Sequence, residues 1–247
     1  MILTSKNNPL IKQTVALKDK KERKKPGLFL IEGKKMVKEA LSSGLTVVRV
    51  FLSEEAEQEE YGVETVIVSK DVFSKLSDEK TPQGVLCVAQ IPNQKLVPPS
   101  GACLILDGVS DPGNMGAIVR TANAAGYQEI YLTSDCTDPY APKAVRASMS
   151  GIFFIKTYVC ERAEILSAMD GTPIWIADLD GENVFTACPP KKFALVIGNE
   201  ANGVSNEMKN SADKKITIPM ARNQESLNAA VAAGVSMYLL KREVFSK

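Results

Sequence analysis

Residues 102–126 read ACLILDGVSDPGNMGAIVRTANAAG, and the fold class follows from that stretch. An apolar run at Ala102–Leu106 has the length and composition of a fully buried strand. The Asp, Gly, Ser, Pro and Asn that follow are turn formers, and from about Gly113 to Ala125 small and apolar residues recur at helical spacing. Strand, glycine-rich turn and helix form the repeating unit of an open α/β sheet, in which ligands bind at the carboxyl ends of the strands. Further along, the pattern predicts strands at 129–132, 153–158, 174–177, 193–197 and 215–218, with helices at 143–149, 162–169 and about 226–242. That alternation predicts a mostly parallel sheet with helices on both faces.

Towards the N-terminus, Ile11, Val15 and Leu17 have the spacing of a short amphipathic helix, which the basic segment and Pro26-Gly27 close. Strands are expected at 29–31, 47–52, 63–68 and 85–89, and helices at 34–41 and 72–76, giving a smaller α/β unit. Segment 91–101 (IPNQKLVPPSG) carries three prolines and little periodicity, as a linker would. The expected organisation is therefore an N-terminal domain at 1–92, a linker at 93–101 and a second α/β domain at 102–247.

Composition limits the chemistry. The 247 residues are 45% hydrophobic and 24% charged, close to globular averages. No apolar run is as long as a membrane span and the N-terminus has no signal-like core, so a cytoplasmic protein is expected. The five cysteines include no Cys-x-x-Cys pair and read as buried, reduced thiols. There is no histidine, which excludes the usual serine and cysteine triads and zinc hydrolases built on imidazole. No metal site is expected. The formal charge of +1 hides the cluster KDKKERKK at 18–25, which contains Lys20, Lys21, Arg23 and Lys24. Such a cluster is either a polyanion contact that releases counterions or a solvated helix end.

Three loops follow apolar strands. The first, 106–116, leads into a helix carrying Asn114 and Arg120; the second is 196–204 (VIGNEANGV); the third is 216–220 (ITIPM) followed by 225–230 (ESLNAA). None has the Gly-Lys-Ser/Thr of a phosphate loop or a close G-x-G-x-x-G, which argues against a conventional nucleotide-dependent enzyme. Asn114 and Arg120 lie six residues apart and share a face only if Asn114 caps or precedes its helix. Arg120, among small apolar neighbours, needs an anionic partner if buried.

In order and spacing, these three segments resemble the motifs of the SpoU (TrmH-type) branch of the SPOUT RNA methyltransferases, over residues 102–247. Phe29-Leu30-Ile31-Glu32-Gly33 and Thr81-Pro82-Gln83-Gly84-Val85 resemble the ribosomal-protein-like substrate-binding domain attached to many of these enzymes. The resemblance implies a sheet whose C-terminal part is threaded into a trefoil knot, S-adenosylmethionine as cofactor, a homodimer and transfer of methyl to a ribose 2′-hydroxyl. Ser226-Leu227-Asn228 is similar to the ribose-directed branch, and the N-terminal domain points to ribosomal RNA ahead of transfer RNA. Carried onto this chain, Ile197, Gly198, Ile218, Met220 and Leu227 form the cofactor pocket. Arg120 becomes the main catalytic residue, Asn114 with Ser226 or Asn228 orients substrate, and Glu200 shapes the loop or acts as a secondary base. Lys143 and Arg146 are expected to face RNA. The rival from another class is a non-catalytic RNA-binding or ribosome-assembly protein; retention of Asn114, Arg120, Glu200 and Asn228 speaks against it.

Overall fold

The computed structural model describes residues 2–221 and 225–245. Contacts divide the chain into two units, Met1–Asn93 with Asp138–Phe153, and Gln94–Thr137 with Phe154–Lys247.

In the first unit α1 (Pro9–Ala16) begins where the Asn8 side chain accepts from Leu10 N, with Pro9 at its first position. Asp19 caps α2 (Lys20–Lys24) in the same way, so the basic cluster is itself a short helix. There follow β1 (Leu28–Glu32), α3 (Lys34–Ser42), β2 (Val47–Ser53), β3 (Thr65–Val68), α4 (Lys70–Leu76) and β4 (Val85–Gln90). The sheet runs β1-β4-β2-β3, antiparallel except for β2 with β3. Ile11, Leu30, Phe51, Val72, Phe73 and Leu86 form its core.

The second unit comprises β5 (Cys103–Asp107), α5 (Pro112–Ala124) and β6 (Glu129–Thr133); then, after α6 (Pro142–Ser148) of the first unit, β7 (Lys156–Cys160), α7 (Arg162–Ala168), β8 (Ile174–Asn183), β9 (Ala194–Gly198), α8 (Asn206–Asn210), β10 (Lys214–Thr217), α9 (Ala229–Leu240) and α10 (Arg242–Phe245). Six strands in the order β10-β8-β9-β5-β6-β7 pair in parallel throughout. Every residue of β5 and β6 is buried, as expected of strands covered on both faces. Phe153, expected to begin a strand, instead ends a 3₁₀ turn, and β7 starts at Lys156.

Several expectations are corrected here. The supposed linker is tied down, because Val97 O accepts from Tyr131 Oη at 2.8 Å and Ser100 Oγ donates to Glu129 at 2.7 Å. Cys87, Cys103 and Cys136 are buried, with burial pushing the first two thiols up to about 12, but Cys160 is half-buried and Cys188 is exposed. Segment 138–153, expected in the second domain, packs with the first unit. There α6 buries Ala144 and Val145 against β1, Tyr140 lies 4.9 Å from Phe29, and Arg146 pairs with Glu79 at 2.6 Å. Arg146 thus has a carboxylate partner, and about a third of its side chain (32%) stays exposed.

Arg23 differs most from expectation. It is only 2% exposed, with Nε and Nη2 donating to Asp138 at 2.9 and 2.7 Å and Nη1 to the carbonyls of Leu17 and Lys18. Helical spacing turns Arg23 inward while Lys20, Lys21 and Lys24 stay exposed, so three of the four basic residues remain open to a polyanion. Because the guanidinium stays charged, Asp138→Ala leaves a buried cation unpaired and is expected to lower stability by about 3–5 kcal/mol in urea unfolding. Lys21→Ala is expected to change it by less than about 0.5 kcal/mol.

Candidate active site

Beside β8 and at the carboxyl ends of β9 and β10 the second unit forms a cleft of about 450 Å³. Its walls include Ile197, Gly198, Ile218, Met220 and Leu227, all five residues expected to hold the cofactor, together with Glu200 and Ser226. Local chain geometry explains the cleft. Asn199 and Gly203 exchange backbone hydrogen bonds at 3.0 and 2.9 Å, folding loop 199–203 back over Gly198. A Cβ at Gly198 would fall within the backbone of Gly203 and Val204, so only glycine fits there. The opposite wall comes from β8. Its pairing with β10 jumps from Ile176–Lys215 to Glu182–Ile216, leaving 177–181 out of register, and Ala177, Asp178 and Leu179 of that excursion line the cleft.

The three loops converge through hydrogen bonds. Glu200 accepts from Ser110 N at 3.0 Å, Ser110 Oγ at 2.8 Å, Asp111 N at 3.1 Å and Asn114 Nδ2 at 2.9 Å. Asn114 Oδ1 in turn accepts from Asn228 Nδ2 at 3.0 Å. The other end of Asn228, Oδ1, caps α9 by accepting from Ala230 N and Val231 N. Asn199 joins the second loop to the first, donating from Nδ2 to Gly108 O at 2.7 Å. Partial burial works to raise the Glu200 carboxyl, but donors from Asn114, Ser110 and its own backbone outweigh it and hold the group at about 2. A carboxylate held so far down is a poor proton acceptor near neutrality, so loop geometry is the role the structure favours for Glu200.

Below the loops lies a second polar network. Asp107, wholly buried at the end of β5, accepts from Arg162 Nε at 2.7 Å and from Ser205 N at 2.6 Å. Arg162 also reaches Asp135 at 2.6 Å. Partial burial works against both charges, but their mutual hydrogen bonds, with one from Thr133 to Asp135, prevail: the Asp135 carboxyl is lowered and the Arg162 guanidinium raised.

Arg120 stands apart from this hydrogen bonding. Asp111, not Asn114, caps α5, and Asn114 sits in its first turn, so the six steps to Arg120 carry the two onto different faces. Arg120 is exposed and makes no hydrogen bond or ion pair with the described residues, so the buried partner considered from the sequence is not required. Lys143, exposed on α6, and the α2 lysines belong to the other unit. Asp178, Lys209 and Ser236 of the cleft, and the Asp107–Arg162 pair, were missed from sequence, since an isolated Asp, Lys or Ser outside a motif carries no signal there. Gly181, in the excursion of β8, lies beyond the strand expected at 174–177.

The cleft suits a cofactor with a flat apolar ring and a charged tail. Ile197, Ile216, Ile218 and Leu227 offer an apolar slot, and Asp178, Glu200, Lys209 and Glu225 offer charge. Among the described residues no group of three or more His, Cys, Asp or Glu could hold a metal ion, and no helix is long and apolar enough to cross a membrane. An open parallel sheet with such a cleft at its strand ends defines an α/β enzyme that works through a small-molecule cofactor.

Comparison with known proteins supplies the family. Residues 101–238 match the SpoU rRNA Methylase family and residues 8–87 the MRM3-like substrate binding domain. A 23S rRNA (guanosine(2553)-2′-O)-methyltransferase of Bacillus subtilis is 32% identical, the match covering 97% of this chain and 98% of the relative. The AdoMet-bound rRNA methyltransferase from Sinorhizobium meliloti superposes with a TM-score of 0.91 at 29% identity, over 100% of this chain and 99% of that one. The SpoU methyltransferase AviRb from Streptomyces viridochromogenes, in complex with AdoMet, gives 0.89 at 27% identity over 97% and 99%. The chain belongs to the SpoU rRNA methylase family and is an S-adenosylmethionine-dependent RNA methyltransferase.

Two outcomes follow from the geometry. Gly198→Ala is expected to abolish measurable S-adenosylmethionine binding in calorimetry while the first unit keeps its fold. Because the Glu200 carboxyl is lowered, its contribution to loop order is complete above the ordinary carboxylate range and is lost only as pH falls towards about 2. A carbon-detected NMR titration of Glu200 should therefore show no step between pH 5 and 9, and a step near neutrality would contradict the hydrogen-bond account.

Proposed function

We propose that this chain transfers a methyl group from S-adenosylmethionine to a ribose 2′-hydroxyl of ribosomal RNA, working as a cytoplasmic homodimer. The observation that carries this reading is the convergence of three strand-end loops on the apolar cleft through Glu200, Asn114 and Asn228. The 2′-O-methyltransferase activity on 23S rRNA named for the full-length Bacillus subtilis relative supports the ribose and the ribosomal substrate over transfer RNA.

When bound, S-adenosylmethionine supplies a methyl group activated by a sulfonium. Ile197, Gly198, Ile218, Met220 and Leu227 would hold it. The protein's remaining task is to orient the hydroxyl and stabilise negative charge as it forms on oxygen. Arg120 suits the second role: a guanidinium is always protonated, so it stabilises an alkoxide or grips a neighbouring phosphate and does not act as a base. Glu200 is already engaged by four donors, so the hydroxyl proton, made strongly acidic as its oxygen takes the methyl group, passes to water or to an RNA phosphate oxygen. Asn114, Asn228 and Ser226 orient the ribose. Lys20, Lys21, Lys24 and Lys143 supply phosphate contacts from exposed positions. The family's trefoil knot belongs to this reading.

Dimerisation is supported by α9, which carries no charged residue and is apolar on all sides apart from Ser236. It buries Ala233, Met237 and Leu240 but exposes Val231 and Tyr238, and Tyr238 stacks on exposed Phe245 at 5.2 Å. Because α5 packs beside α9, such an interface carries Arg120 to the border between subunits.

The reading is tested by mapping 2′-O-methyl groups by mass spectrometry in RNA from a deletion strain. Loss of one ribosomal site is expected; loss confined to transfer RNA would overturn the substrate assignment. Arg120→Ala is expected to keep S-adenosylmethionine affinity and lose at least about a hundredfold in turnover. Mixing inactive Arg120→Ala and Gly198→Ala subunits should restore about a quarter of wild-type activity if Arg120 serves the partner's cleft, and none if it serves its own.

A further inference from the structure

The cleft has a polarity gradient. Its charged side chains, Asp178, Glu200, Lys209 and Glu225, are all partly or well exposed, and Asp178 and Lys209 pair with each other at 3.2 Å. Its deepest walls are apolar: Ile197, Val204 and Ile216 are each less than 5% exposed. Ser236 is the exception. Its residue is 1% exposed, it lines the cleft from α9, and its Oγ has no hydrogen-bond partner among the described residues.

A serine inside a helix ordinarily satisfies its hydroxyl by donating to the carbonyl four residues back, or by facing water. Here it does neither. An unpaired buried hydroxyl costs stability, which makes each one in a native fold a feature with a reason behind it. The position in the gradient indicates the ligand group it meets. A sulfonium and an amino-acid tail carry charge and belong at the solvated rim beside Asp178 and Lys209. An adenine ring is uncharged and flat and fits the apolar floor, where the polar atoms on its edge need a partner.

We propose that Ser236 is a cofactor-recognition residue, its hydroxyl hydrogen-bonding the edge of the adenine in the floor of the cleft. This rests on the assignment of the cleft to S-adenosylmethionine given above. Serine both donates and accepts, so it can pair with the exocyclic amine or with a ring nitrogen.

The test uses the full chain and S-adenosylhomocysteine, with two analogues, one whose purine lacks the 6-amino group and one with N7 replaced by carbon. Calorimetry on wild type and Ser236→Ala gives six affinities. Ser236→Ala is expected to weaken S-adenosylhomocysteine by about three- to tenfold, as for one neutral hydrogen bond. The penalty of one analogue relative to the parent should shrink by the same factor in the variant. Removing an orphaned hydroxyl should leave the Tm of the ligand-free protein unchanged or raised, so stability and affinity move in different directions, as a general packing defect would not allow. Unchanged affinity for the parent, or analogue penalties identical in both proteins, overturns the role of Ser236 while leaving the cleft assignment standing. Absence of binding by wild type overturns the cleft assignment itself.

Discussion

A single negative charge sets the direction of a hydrogen-bonded chain across the active site. Glu200, ionised, can only accept, so the amide of Asn114 must turn its NH₂ end towards it and its oxygen away. That oxygen then calls for a donor, which fixes the amide of Asn228, and the remaining oxygen of Asn228 meets the free N–H groups at the start of α9. Three loops distant in sequence are thereby given one polarity. Two asparagines without the carboxylate could pair in either orientation; with it, one arrangement remains. This is why Glu200 counts for more as a fixed charge than as a base.

Asp107 works on the same principle one layer down. It sits at the end of a strand with no solvent access, and Arg162 and the Ser205 amide pair its two oxygens. The bond to Ser205 also fixes where the second loop re-enters regular structure, at the cap of α8. The upper network aligns the loops laterally and the lower one sets their height on the sheet.

Much of this could be read in advance. Strand–turn–helix alternation gave the open sheet, and of the positions that resemble SpoU motifs Ile197, Gly198, Glu200, Ser226 and Leu227 line one cleft and Asn114 and Asn228 join the network beside it, while Arg120 stands exposed. Periodicity reports which residues face a core and motifs report local turns, so both survive translation into three dimensions. The failures share a physical cause. Arg23 looks like any other residue of a basic run until one turn of helix points it at Asp138, a partner 115 residues away. Glu200 reads as a candidate base until four donors from another loop gather round it. The excursion of β8 depends on which strand lies beside it. In each case a long-range partner determines the residue's role, and one sequence taken alone does not name partners.

The return of residues 138–153 to the first unit bears on how the protein can be divided. A cut at the proline-rich segment near residue 93 looks natural, since it separates two blocks of alternating structure. The N-terminal piece so produced would lack α6 from the face of β1, would lose the aromatic partner of Phe29, and would hold an interior guanidinium with no counterion. The substrate-binding unit is therefore not an interchangeable cassette: its fold is completed by chain that belongs, in sequence, to the catalytic domain. Exchange of such units between enzymes would have to carry the α6 segment as well as the N-terminal ninety or so residues.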